Sequence, residues 1–65
     1  MAGTVTSEEW MRLQRYLNSE SDGAKRTVVA SKTSFLEWLK FKGLNYLVEK
    51  LLDILWDEIK RCLGL

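Results

Sequence analysis

This chain has no proline and no histidine, a single cysteine and only four glycines among its 65 residues. Each shortage excludes something. Cys62, being alone, cannot close an internal disulfide, so the fold is not a disulfide scaffold. It cannot build a structural zinc site either, since there is no histidine and no second thiol to share the metal. For the same reason Cys62 lacks a partner base that would make it a nucleophile, and the reading is a buried, inert thiol on an apolar face. No glycine-rich loop follows a strand-like run, so a phosphate cradle is unsupported. We therefore expect no catalytic residue, no metal and no cofactor, and no enzyme activity.

An excess of charge of one sign is also missing. Ten Lys and Arg face nine Asp and Glu, a net charge of +1, so no strong field draws nucleic acid or an anionic membrane. Long apolar runs are absent too, because Glu49, Asp53 and Asp57 interrupt the C-terminal part well short of a bilayer span. The opening "MAGTVTSEEW" has neither the basic start nor the apolar centre of a secretory leader. One unpaired thiol suits a reducing compartment, and the expectation is a soluble cytoplasmic protein.

What the chain does have is 46% apolar residues against 29% charged ones, a globular balance. Residues 1–65 form one domain, near the length at which a single core is marginal without a staple or a partner. In "TSEEWMRLQRYL", Thr6 and Glu9 stand at capping-box spacing and Trp10, Leu13 and Leu17 fall on one face, which predicts a helix over Ser7–Asn18. "NSESDGAKR" is rich in turn formers around Asp22-Gly23 and reads as a loop. "TVVAS", Thr27 to Ser31, reads as an extended segment whose two valines plug the core. Alternatively it pairs with Gly3–Thr6 as a minimal two-stranded ribbon. Ser34 and Glu37 repeat the capping-box spacing and start another helix; Gly43 either ends it, the favoured reading, with Asn45 starting a third, or sits inside one long helix of about thirty residues. The fold class is all-α, a small bundle of two to three helices with an extended middle, the alternative being α+β with the ribbon.

The C-terminal stretch "LVEKLLDILWDEIKRCL" carries the functional expectation. At 100° per residue, Tyr46, Glu49, Lys50, Asp53, Asp57, Lys60 and Arg61 share one solvated sector. The remaining arc, about 200° wide, is apolar from Leu44 to Leu63, whereas a surface helix needs a stripe of only about 100° or somewhat more. A weak heptad seam also runs from Trp38 through Phe41, Asn45, Val48, Leu52, Leu55 and Ile59 to Cys62. Glu58 interrupts the arc; it pairs with Arg61 or helix 1 at the rim, or meets a basic group such as Arg12 or Arg15 across an interface.

An apolar face wider than its own domain needs implies a protein partner, either a second copy or a larger protein. The expected contact residues are Leu47, Leu51, Ile54 and Glu58 on one flank, with Trp38, Phe41 and Trp56 as aromatic anchors. The other flank, Val48, Leu52, Leu55 and Ile59, is assigned to helix 1. The expected function is a non-enzymatic adaptor, inhibitor or assembly factor, acting as a homodimer or on a foreign protein. Two weaker readings stand beside it. The middle of the chain is locally basic, with Arg12, Arg15, Lys25, Arg26, Lys32, Lys40 and Lys42, and could contact nucleic-acid phosphates. The amphipathic C-terminal segment could instead lie on a membrane surface, with Trp38 and Trp56 as interfacial anchors.

Overall fold

A computed structural model describes residues 5–65. Its described residues form five helices: α1 (Ser7–Asn18), α2 (Asp22–Val28), α3 (Lys32–Phe41), α4 (Asn45–Leu51) and α5 (Trp56–Leu63). The fold is all-α, with no strand among the described residues. A bundle of two or three helices therefore becomes one of five shorter ones.

Helix α1 begins as its sequence dictates. The Glu9 amide donates to Thr6 Oγ1 at 3.2 Å and the Thr6 amide donates to Glu9 Oε1 at 2.9 Å, which satisfies two otherwise orphaned donors. Leu13 and Leu17, one turn apart, are fully or nearly fully buried.

The expected loop over residues 18–26 and the extended Thr27–Ser31 segment are corrected by α2. Ser21 is its N-cap, accepting from the Ala24 amide at 3.3 Å, with Asp22 in the first turn and Lys25 and Arg26 in the last. Acid at the N-terminus and bases at the C-terminus complement the helix dipole, and this outweighed the turn preference of Asp22-Gly23. Val28 does plug the core, and Val29 packs partly against it, but from the end of a helix. For the alternative ribbon, Gly3 and Thr4 lie outside the described residues.

The cap of helix α3 lies three residues before Ser34. Ser31 is the cap and takes the Ser34 amide at 3.1 Å, so Glu37 is left exposed and outside any box. At the other end Gly43 adopts φ +79°, a left-handed conformation open to glycine. The Gly43 amide then reaches Lys40 O at 3.0 Å and the Leu44 amide reaches Leu39 O at 2.9 Å, the paired bonds of a Schellman ending. The break at Gly43 holds. Asn45 is the first residue of α4 rather than its cap, which is Leu44.

The larger correction is that the C-terminal spine is broken again, at Leu52–Leu55. An unbroken helix over Leu44–Leu63 would be about 30 Å long, too long for α1 alone to cover at about 18 Å. Split in two, α4 packs on α3 while α5 packs on α1. Lys32 stabilises the break, its Nζ donating to Leu52 O at 2.9 Å and Ile54 O at 2.7 Å, carbonyls left without helical partners. The heptad seam and the single apolar arc both assumed one helical phase, and neither survives.

The core draws on every helix: Leu13 and Leu17, Val28, Phe35 and Leu39, Leu47, Val48 and Leu51, Ile59 and Leu63, with Val5 and Leu44 beside them. Phe35 is its aromatic centre, with ring centroids 5.8 Å from Trp38 and 5.5 Å from Trp56. The radius of gyration is 10.9 Å, close to the roughly 11 Å of a compact chain this size. No helix among the described residues is long and apolar enough to cross a membrane.

Candidate protein-docking site

The second break has a consequence on the surface. Leu55, the N-cap of α5, is 76% exposed, and Leu52 is 55% exposed. Along α5 the positions Leu55, Glu58 and Cys62 follow one another at three- and four-residue steps, on the flank beside the buried Ile59–Leu63 stripe. Val5, just before α1, and Trp10 of α1 line a shallow groove with them, to which the α4–α5 turn adds Asp53 and Ile54. The volume is about 440 Å³, enough for a few side chains of a partner and open to solvent along its length.

Its electrostatics are lopsided. Asp53 and Glu58 both line the groove, and neither carboxylate has an ion-pair partner among the described residues. Glu9 and Glu20 are engaged elsewhere, whereas Glu8, Asp22, Glu37 and Glu49 share with Asp53 and Glu58 the lack of an ion pair among the described residues. Glu9 takes Lys50 Nζ at 2.9 Å; the Thr6 amide first, then Lys50, hold its carboxyl below the usual range against a small opposing effect of burial. Glu20 takes Lys42 Nζ at 3.0 Å and the Trp38 indole N–H at 3.1 Å, and the two lower its carboxyl in that order. The groove thus combines apolar walls with two unpaired negative charges.

Of the residues expected to bind a partner, the structure brings only Ile54 and Glu58 to this groove. Leu47 and Leu51 are fully buried in the chain's own core and have no surface to offer. Their assignment is corrected, because α4 turns that flank toward α3. The flank assigned to α1 divides: Val48 and Ile59 are buried, whereas Leu52 and Leu55 are exposed. Trp38 and Trp56 are half-buried, Trp38 hydrogen-bonded to Glu20 and Trp56 tilted at 45° against Phe35 with Lys60 Nζ 6.0 Å from its ring centroid. Phe41 ends α3 and is 85% exposed. Cys62 is exposed rather than buried, because Ile59 and Leu63 are the residues α5 turns inward.

In the basic middle of the chain Lys32 donates to backbone carbonyls, and Lys42 pairs with Glu20 at the surface. Lys25 Nζ donates to Asn18 Oδ1 at 3.1 Å, and Arg26 and Lys40 are exposed. Arg12 and Arg15 do come together, lining a hollow with Tyr16 and Ser19, and Arg12 donates to the Tyr46 hydroxyl at 3.2 Å. Among the described residues no group of His, Cys, Asp and Glu is placed to hold a metal ion.

No family model, curated protein or solved structure matches this chain. The functional reading therefore rests on the groove. Sequence reasoning missed Val5, Trp10, Asp53, Leu55 and Cys62 as its lining. One signal was present: Leu55 is separated from Glu58 and Cys62 by helical steps, so the three share a flank wherever the helix begins.

Proposed function

We propose that this protein is a non-enzymatic interaction module, an adaptor, inhibitor or assembly factor, that docks another protein in the Trp10–Ile54–Leu55–Glu58 groove. The observation that carries this reading is Leu55. A helix N-cap favours Ser, Thr, Asp or Asn, whose side chains accept an orphaned amide, and leucine ranks far below them. Here leucine stands at the cap, makes no capping bond and is 76% exposed. Residues that break a local folding rule without a structural gain concentrate at functional sites. The sequence argument for a homodimer, by contrast, loses Leu47 and Leu51 to the core.

The test needs no partner. Leu55→Ser supplies a capping oxygen and removes exposed apolar surface, so urea unfolding should show stability unchanged or raised by about 0.5 kcal/mol. A loss of more than about 1 kcal/mol would make Leu55 a packing residue and end the reading.

A further inference from the structure

We infer that the occupant of this groove is a basic amphipathic helix of another protein, laying an apolar stripe against Trp10, Ile54 and Leu55 with lysines or arginines beside Asp53 and Glu58. The inference rests on the groove being a docking site and adds what fills it.

Three observations select that occupant. The first is charge. The charged residues that line the groove, Asp53 and Glu58, are both acidic and unpaired among the described residues, with no lysine or arginine beside them in the lining. A helix-dipole argument explains Glu58, which lies in the first turn of α5. Asp53 lies in the turn two residues past α4, whose end favours a cation, and two residues before the Leu55 cap of α5, whose start favours an anion, so the two dipoles offset each other there. Charged rims complementary to a partner speed its arrival and exclude acidic competitors.

The second is backbone. The groove is walled by α1, by α5 and by the turn joining α4 to α5, with no strand among the described residues. An extended peptide would find no sheet edge to extend, so recognition falls to side chains, the helix-in-groove mode.

The third concerns a second copy of this chain. A two-fold contact centred on the groove brings the two carboxylates of each copy into one interface, with no base in the lining to offset them. A head-to-tail contact would need a basic face on the next copy and would close into a ring or run on as an open chain; on one such face, that of Arg12 and Arg15, Arg12 is bonded to Tyr46.

The probe is a synthetic peptide of about 18 residues, long enough to become helical when bound, with one leucine stripe flanked by lysines. Its control replaces every lysine with glutamate. Amide chemical shifts of the full chain are followed as each is added. The lysine peptide should move the signals of Trp10, Asp53–Glu58 and Cys62, with binding that weakens as salt is raised. The glutamate peptide should not bind. Asp53→Asn with Glu58→Gln, checked for intact helicity, should weaken the lysine peptide about tenfold.

No shift with the lysine peptide, shifts mapped elsewhere, or equal binding by the glutamate peptide would each overturn the inference. So would a solution mass that grows with concentration in the unliganded chain and is reduced to monomer by Leu55→Ser, which gives the groove to a second copy. A Leu55→Ser protein of undiminished stability alongside any of these failures removes the basic occupant and leaves the docking reading standing.

Discussion

Lys32 shows how one side chain sets local structure twenty residues away. Read in sequence it belongs to a basic middle segment; in the fold its ammonium bridges Leu52 O and Ile54 O and stabilises the turn that separates α4 from α5. Hydrogen bonds from a charged donor contribute more than neutral ones, and both carbonyls would otherwise rely on water. Lys32→Met keeps the stem and removes the donor, and should lower stability by about 1–2 kcal/mol in urea unfolding. An unchanged midpoint would mean water replaces the ammonium at no loss. Leu55 depends on that turn, since it is the turn that places it at a cap, exposed, with Asp53 and Ile54 beside it.

At the scale of elements the chain is a set of short helices held by their ends. Helix α2 has seven residues, well below the length at which an isolated helix is stable, so its cap and its packing on α3 carry it. Ser21→Ala removes the acceptor for the Ala24 amide and should cost about 1 kcal/mol. Hydrogen exchange should localise that loss, with the amides of Lys25 and Val29 exchanging faster while those of α1 stay protected. Equal acceleration in both helices would show that α2 does not open as a separate unit.

For the whole molecule, two charged contacts tie distant segments together. Lys50 on Glu9 joins α4 to α1, and Lys42 with Trp38 on Glu20 joins the end of α3 to the turn after α1. Both carboxyls are held below their unfolded value of 4.5. Their contribution is therefore complete above that pH and is lost as pH falls through the lower folded values. Thermal unfolding should give a midpoint that is flat near neutrality and declines below about pH 4.5. In Glu9→Gln with Glu20→Gln the midpoint should be lower at pH 7 and the acid decline shallower. Both pairs are solvent-accessible, so high salt should reduce the difference.

The all-α class, the start of α1 at its capping box and the break at Gly43 were legible in sequence. Each depends on residues a few positions apart: Thr6 with Glu9, or Gly43 alone with its freedom at positive φ. Helix α2 was legible in principle, through Ser21, Asp22, Lys25 and Arg26, but Asp22-Gly23 carried the stronger local signal for a turn. The candidate site was legible only at Ile54 and Glu58. Nothing within "LLDILW" ends a helix, and periodicity extended through it points Leu47 and Leu51 outward and Leu55 inward.

Local chemistry by itself thus determined that this chain is helical and where two of its helices begin or end. Which leucines are core and which are surface was decided by the tertiary structure. A single long helix could not be covered by α1, so its halves took separate neighbours, and a lysine from α3 satisfied the carbonyls left at the joint. That choice depends on contacts between residues twenty or more positions apart, and it turned Leu55 outward beside Asp53 and Glu58.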